Sequence, residues 1–386
     1  MKVPLIGWKQ QPGSPLFEAR SSVDSVPASD LKALIVYGPV ARMNPYQALV
    51  YGGFREQGIA TSELIPLGEY PKAKSLRSLA PHVGLHIHWP GGLISSAKSE
   101  DDGRRLISEI SRQLDMIQES GVKIIYTVHN MVSHDARFPE SERTLQNLFI
   151  SQSDVLHSMT YAGLDRVRAE YDIKDSNVIV SPHPVYKGVY PNYFSKAESR
   201  RFLGLGEDDR IVTLFGAIKP YKGLRLVREI WDKFEKKGIG PYLVVAGKPD
   251  GTNEAKKFVK WAEANSRVLV YSTKVPFEQV QIFVNAADFG LVPYELSLNS
   301  GAALLFATFH RPVIGIKEPS VFEGFPVSSY LSFDNKLEFE QILLNIGGSG
   351  QSTLRDMDWQ SFLESRDPAA LSADFAKKLL QALQLD

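Results

Sequence analysis

The sequence predicts an α/β protein built from two Rossmann-like domains facing one another across a cleft, and three observations carry that expectation. Short β-rich apolar runs alternate with stretches of helical period from Leu34 onward, the alternation starts afresh after Gly204, and 386 residues exceed what one ordinary core of roughly 150 residues uses. Runs of strand character separated by helical stretches argue for βα units around a parallel sheet. Two consecutive series of similar length argue for two such sheets.

Residues 1–30 are polar, with neither the apolar core of a signal peptide nor a cleavage site, and are expected to form a loosely held tail. The first domain is expected over 31–190. Its strand candidates are Ala33 to Gly38, Val83 to Trp89, Lys123 to Asn130, Ser153 to Met159 and Asn177 to Pro182. Between the second and third, Leu106, Ile110, Leu114 and Ile117 make one apolar stripe, and Gly121 stands where that helix should stop. The Tyr-, Pro- and Gly-rich stretch from Val185 to Phe194 reads as an interdomain connection.

Ser195 followed by Glu198 is a capping-box pattern that opens a helix ending at Leu203 and Gly204. The second domain, over 191–350, carries strand candidates at Ile211 to Gly216, Tyr242 to Lys248, Arg267 to Ser272, Asp288 to Tyr294 and Arg311 to Ile316. Residues 351–386 hold two amphipathic helical pieces, one with Trp359, Phe362 and Leu363, the other with Phe375, Leu379, Leu380 and Leu383.

Composition removes several classes of function. Lysine and arginine together number 44 and aspartate and glutamate 44, so there is no net positive charge to attract nucleic acid. With no cysteine there is no disulfide framework, thiol nucleophile or cysteine-ligated metal. No apolar run approaches the roughly 20 residues that a membrane span needs. A cytoplasmic protein is expected.

Ligands of open parallel sheets bind at the carboxyl ends of strands, which directs attention to the residues just after each run. GAIKPYKG, Gly216 to Gly223, follows a strand and precedes the helical stretch of Leu224, Val227 and Trp231. Gly216 and Gly223 permit a tight turn with close backbone approach, and Lys219 and Lys222 stand beside a helix N-terminus, whose dipole favours anions. PYELSLNSGAALL, from Pro293, places Tyr294 just past a strand and Asn299, Ser300 and Gly301 at the start of a helix running to about Phe309, where backbone amides would be presented to a phosphate oxygen. Neither segment is a Walker A or a dinucleotide fingerprint. Taken singly, a loop lysine is ordinarily a solvated charge and a Ser-Gly before a helix ordinarily a cap; it is their joint placement after strands that points to a diphosphate.

Histidines mark the first domain. His86 and His88 alternate in a strand ending at Trp89 and Pro90, which puts both on one face. The bland reading of His86 is a buried, hydrogen-bonded side chain. His129 and Asn130 follow the next strand, with His134 and Asp135 beyond, and His129, His134 and Asp135 are the better candidates for acid–base work. No spacing matches a metal motif, so no metal site is expected. His88, Trp89 and Asn130 suit the acceptor side of a transfer.

Taken in order, HIHWP at His86, TVHN at Thr127, His134-Asp135, FGAIKPYKG at Phe215 and VPYELSLNSGAALLFATFHRPVIG at Val292, with NPY at Asn44, resemble the GT-B glycosyltransferases of bacterial exopolysaccharide synthesis. The set is most similar to the xanthan-type β-1,4-mannosyltransferases, which use GDP-mannose and a polyprenyl-diphosphate-linked acceptor. The resemblance runs from about Leu34 to Ile316. It implies the GT-B fold, a nucleotide-sugar donor (GDP-mannose favoured, a UDP-sugar second), a glycolipid or oligosaccharide acceptor, no cofactor and no nucleic acid.

By position, Lys219 and Lys222 would hold the donor diphosphate and Ser300 and Gly301 would add amides to it. His129 is similar to the histidine that approaches the donor sugar, and Asp135 matches the family's acidic residue, with His134 as the competing base. The acidic pair spaced by seven residues in many retaining relatives is absent, with Ser297 and Leu305 at its positions, which favours inversion. Lys219 stands where an arginine is common, keeping charge without bidentate geometry. The resemblance also implies that the terminal helices, 351–386, return to the first domain.

A GT-B-like nucleotide-sugar epimerase and a non-catalytic sugar-nucleotide-binding homologue stay open. The basic and apolar stretch Lys72 to Leu79, with Arg104 and Arg105, would suit peripheral contact with an anionic membrane at the inner face of the plasma membrane. A solvated helix face accounts for it equally well.

Overall fold

The computed structural model describes residues 15–41, 44–63, 76–131, 136–173, 177–294, 298–327, 329–346 and 356–384. His134, Asp135, Ser297 and Lys72 to Ser75 lie outside the described residues. The chain divides into two compact units: Val185–Asp367 forms the second, and the residues up to Pro184 together with those from Pro368 form the first. The passage at Pro184–Val185 comes ahead of the expected boundary at 190.

The first unit is an all-parallel sheet in the order β2-β1-β3-β4-β5-β6. Its strands are β1 (Ala33–Gly38), β2 (Ile59–Glu63), β3 (His82–Ile87), β4 (Lys123–Thr127), β5 (Val155–Ser158) and β6 (Val178–Val180). The central strands are near-continuous apolar runs because both faces are covered: Leu34, Ile35, Leu85, Ile87, Ile124 and Ile125 are all buried. Since β2 and β3 flank β1 on opposite sides, the order reverses between β1 and β3, and the carboxyl ends of those strands open a crevice.

Helix α3 (Glu100–Glu119) is capped by Ser99 and buries Ile107, Ile110, Leu114 and Ile117. Ile107 replaces the expected Leu106 in the stripe, which is only partly buried. Residues 15–24, expected within the tail, form α1 (Pro15–Asp24) instead. Leu16, Ala19 and Val23 recur at helical spacing and are buried, and Ser22 Oγ donates to Thr61 O at 2.7 Å and accepts from Thr61 N at 3.0 Å, tying the helix to β2.

The second unit repeats the architecture in the order β12-β11-β10-β7-β8-β9. Its strands are β7 (Ile211–Phe215), β8 (Tyr242–Ala246), β9 (Val268–Tyr271), β10 (Phe289–Val292), β11 (Val313–Ile316) and β12 (Tyr330–Phe333). Here the order reverses between β7 and β10. Ser195 and Glu198 form the expected reciprocal capping box of α6 (Lys196–Phe202). The helix that follows the first glycine loop, α7 (Leu224–Lys237), buries Leu224, Val227, Ile230, Trp231 and Phe234.

Edge strands β2 and β12 were not legible as strands. Their sequences, IATSE and YLSF, are short and only partly buried, so neither shows a clean apolar run.

The two terminal helices part company. Helix α13 (Asp356–Ser365) belongs to the second unit, where Trp359 stacks on His310 with ring centroids 5.8 Å apart. Helix α14 (Pro368–Ala382) belongs to the first and packs on α2 (Tyr46–Tyr51), Ser372 Oγ accepting from Gly53 N at 2.8 Å and donating to Val50 O.

Candidate functional site

In the second unit the two loops singled out by sequence meet at the point where the strand order reverses. The loop after β7 turns through Gly216 at φ 92° and makes a single 3-10 turn at Pro220–Lys222 before Gly223, at φ 67°, starts α7. A Cβ on Gly223 would stand 2.6 Å from Pro293 O, in the loop after β10. That contact brings the two loops together, and only glycine combines a positive φ with so close an approach.

Lys222 is 6% exposed. Its Nζ donates to Phe215 O at 2.8 Å and lies 5.5 Å from the centre of the Tyr294 ring. Burial, and then the neighbouring charge of Lys219, bring the Lys222 ammonium down to about 7. A cation buried beside a second lysine is destabilised, and an anion drawn to the pair would relieve it.

The loop after β10 leads to α10 (Gly301–Thr308), whose N-cap Ser300 accepts from Ala303 N at 3.2 Å. A Cβ on Gly301 would stand 2.7 Å from the Tyr186 hydroxyl, so glycine lets the start of α10 pack closely against that side chain. Tyr294 is buried against Tyr221, and burial pushes its phenol up. Gly216, Lys219, Lys222, Gly223, Tyr294, Ser300 and Gly301 thus lie on two loops that meet at one strand crossover, and Asn299 directly precedes Ser300.

In the first unit, the residues past β3 and β4 meet in a dense histidine cluster. His129 is 7% exposed and stacks on Trp89, ring centroids 4.3 Å apart. A cavity of about 30 Å³, room for about one water, is lined by Trp89, His129, Asn130, Glu142 and Gln146. His88, expected to meet the acceptor, also lines this cavity; it is fully buried, and its ring nitrogens lie 2.7 Å from Tyr51 Oη and 3.1 Å from His129 Nε2, so it backs His129 as well. Trp89 and Asn130 remain partly exposed. Burial first, and neighbouring histidines second, hold His86, His88 and His129 well below the usual histidine range. Among the described residues no three His, Asp or Glu side chains are grouped so as to hold a metal ion.

Several members of this cluster escaped the sequence reading. Tyr46 and Tyr51 come from α2, which follows the NPY motif: Asn44 Oδ1 accepts from Tyr46 N at 3.1 Å at the start of that helix. Thr127 and His157 sit within strands that read as ordinary core, and His183 donates from Nδ1 to Pro184 O at 2.7 Å. Glu142, on α4 (Pro139–Gln152), adds a carboxylate to the His129 cavity. The one signal for it in the sequence is a carboxylate seven residues after Asp135.

Comparison with known proteins sets this geometry in context. No family model matches the chain. It is distantly homologous to the GDP-mannose:glycolipid 4-beta-D-mannosyltransferase of Xanthomonas campestris pv. campestris, 23% identical over 283 residues that cover 72% of this chain and 70% of that one. A D-inositol 3-phosphate glycosyltransferase of Corynebacterium glutamicum is 24% identical over 45% of each chain. Among solved structures, sucrose-phosphate synthase from Thermosynechococcus elongatus superposes with a TM-score of 0.63 at 12% identity, over 92% of this chain and 100% of that one. The Anabaena protein HepE, solved with UDP and glucose, gives 0.62 at 10% identity over 91% and 100%. The two parallel six-stranded units have the GT-B fold.

Proposed function

We propose that this chain is a glycosyltransferase that moves a hexosyl group, mannose before others, from a nucleotide-sugar donor to a hydroxyl of a glycolipid or oligosaccharide acceptor. GDP-mannose is the favoured donor and a UDP-sugar the second. The observation that carries this reading is the close approach of Gly223, after β7, to Pro293, after β10, with Lys222 buried beside Tyr294 at that junction. The distant mannosyltransferase relatives support the sugar and the lipid acceptor.

In this reading the second unit binds the donor diphosphate and the first supplies acceptor contacts through Trp89 and Asn130. Asp135, with His134 as its competitor, deprotonates the acceptor hydroxyl as it attacks the anomeric carbon, and His129 meets the sugar. The carbon–oxygen bond to the diphosphate breaks as the new bond forms on the opposite face, inverting configuration. Charge developing on the leaving diphosphate is met by Lys219 and Lys222, each contributing up to about 4 kcal/mol at ~4 Å and an effective dielectric near 20 before desolvation, and by the amides that open α10. That supply replaces a divalent ion. We place the reaction on the cytoplasmic side, with peripheral contact to the membrane that holds a lipid acceptor; no helix among the described residues is long and apolar enough to cross one.

The deciding experiment incubates the purified chain with GDP-mannose or UDP-glucose, with and without a polyprenyl-diphosphate oligosaccharide, in the presence of a chelator. The expected result is a mannosylated lipid, formed at wild-type donor affinity but greatly reduced rate by Asp135→Asn. A new sugar nucleotide formed without acceptor would identify an epimerase, and binding without turnover a non-catalytic homologue. An active Asp135→Asn beside an inactive His134→Ala would move the base to His134.

A further inference from the structure

Behind His129 runs a line of five buried side chains, His157, Thr127, His86, Tyr51 and His88, none more than 7% exposed. They come from β3 and its exit, β4, β5 and α2, and each is within hydrogen-bond distance of the next. The direction of every bond follows from one end. Ser181 offers a carbonyl oxygen, which can only accept, so His157 donates to it from Nε2 at 3.1 Å.

A neutral imidazole carries one N–H. His157 Nδ1 is therefore an acceptor, and Thr127 gives it the hydroxyl proton at 2.9 Å. The Thr127 oxygen then accepts from His86 Nε2 at 2.7 Å, which leaves His86 Nδ1 to accept from the Tyr51 hydroxyl at 2.8 Å. The Tyr51 oxygen accepts from His88 Nε2 at 2.7 Å, and His88 Nδ1 accepts from His129 Nε2 at 3.1 Å. His129 thus carries a proton on Nε2, aimed at His88.

The neutrality this requires has its own support. Burial brings the His157 imidazole down to about 4, lowers those of His86, His88 and His129, and raises the Tyr51 phenol. Reversing one link would set two protons or two lone pairs against each other, so the chain reverses as a whole or not at all, and a whole reversal would turn His157's lone pair onto the Ser181 carbonyl. The same closed end means that no proton leaves the chain, which makes it a device for orientation and not a conduit.

We infer that His157, Thr127, His86, Tyr51 and His88 are positioning residues that hold His129 with its proton on Nε2 and so fix the orientation of its ring during transfer. The proton placement stands on this geometry alone; its consequence for transfer rests on the transferase reading above.

The test is long-range proton–nitrogen correlation of the imidazoles in 15N-labelled protein without ligand, at about pH 7, where an unperturbed histidine would be mostly neutral and free to exchange tautomers. His129→Gln assigns the His129 signal. The expected spectrum shows His86, His88, His129 and His157 all as Nε2–H. Tyr51→Phe and Thr127→Val cut the chain at different links, and in both His129 should exchange between tautomers, with kcat falling roughly tenfold or more and KM for the sugar nucleotide within about twofold, the pattern of a lost orienting partner. Thr127→Ser keeps the hydroxyl and should restore both readouts, and the Thr127 pair decides the matter if Tyr51→Phe does not fold. An Nδ1–H signal for His129 in the wild type, an unchanged tautomer in the folded cut variants, or equal behaviour of the serine and valine variants would overturn the inference. The expected spectra in a chain that transfers no sugar would support the proton placement and overturn its consequence for transfer.

Discussion

Lys222 Nζ donates to the carbonyl oxygen of Phe215 at 2.8 Å, at the point where the second sheet reverses its strand order. A carbonyl dipole compensates an ammonium only partly, and burial with Lys219 nearby brings the group down to about 7.

Donor affinity should therefore depend on pH in a defined direction. The protonated lysine binds the diphosphate, and the bound anion raises the lysine's pKa. Affinity for GDP or UDP should be flat below pH 7 and weaken above it, by up to about tenfold per pH unit, until the pH reaches the raised value. Calorimetry in buffers of different ionisation enthalpy should record proton uptake on binding near neutrality. Lys222→Met should bind more weakly and lose both effects; a Lys222→Met protein that keeps the pH profile would place the titrating group elsewhere.

Gly223 joins the two loops through its positive φ and its approach to Pro293 O. Gly223→Ala should cost about 2 kcal/mol or more, from left-handed backbone strain plus displacement of the 293 loop, and should sharply weaken nucleotide binding. Gly204 supplies the control. It has φ 70° with nothing within 4 Å of an added Cβ, so Gly204→Ala should carry the strain alone and leave nucleotide affinity intact. Thermal unfolding and titration of the two variants separate these effects.

The contrast between these sites and the histidine chain shows what a sequence makes legible. Gly216, Lys219, Lys222 and Gly223 fall within one eight-residue loop after an apolar run, so their proximity is written locally. The burial of Lys222 is not, because it depends on Tyr294 arriving from another strand. Of the positioning chain, His86 and His88 were visible through alternation. Tyr51, Thr127 and His157 join them across sequence separations of 30 to 41 residues, which β-strand pairing and the packing of α2 bring about. The helix at residues 15–24 is hard to read for the opposite reason, since only Leu16, Ala19 and Val23 are buried and Phe17 is exposed, which gives a weak periodic signal until β2 supplies a surface.

The neutral histidines should make the fold acid-sensitive. In the unfolded chain each takes up a proton below about pH 6.5, whereas in the native state His157 does so only near pH 4 and His86, His88 and His129 are likewise depressed. The unfolded state then binds more protons, so stability is fully present above pH 6.5 and is lost as pH falls toward 4, at up to about 1.4 kcal/mol per pH unit for each histidine. Urea titrations across that window should show a steep fall in midpoint. A flat profile would mean that the four rings are already solvated in the native protein.

Phe375 links that acid sensitivity to the last helix of the chain. From α14 it lies over His157 with ring centroids 4.4 Å apart, 6.0 Å from His86 and 5.9 Å from Phe54, and it is 2% exposed. Because desolvation is the leading cause of the low His157 pKa, Phe375 acts as the lid that keeps water from the inner end of the chain. Phe375→Ala should cost about 3–5 kcal/mol at neutral pH, the usual range for emptying such a site. It should also raise the His157 pKa toward 6.5, so that this ring binds protons equally in both states and its share of the acid slope disappears. The variant is thus expected to be less stable at neutral pH yet to lose less stability on acidification. Phe375→Leu, which refills most of the volume, should recover much of the neutral-pH loss and restore the steeper slope. A variant that loses stability in parallel with the wild type across the window would show that Phe375 contributes packing alone.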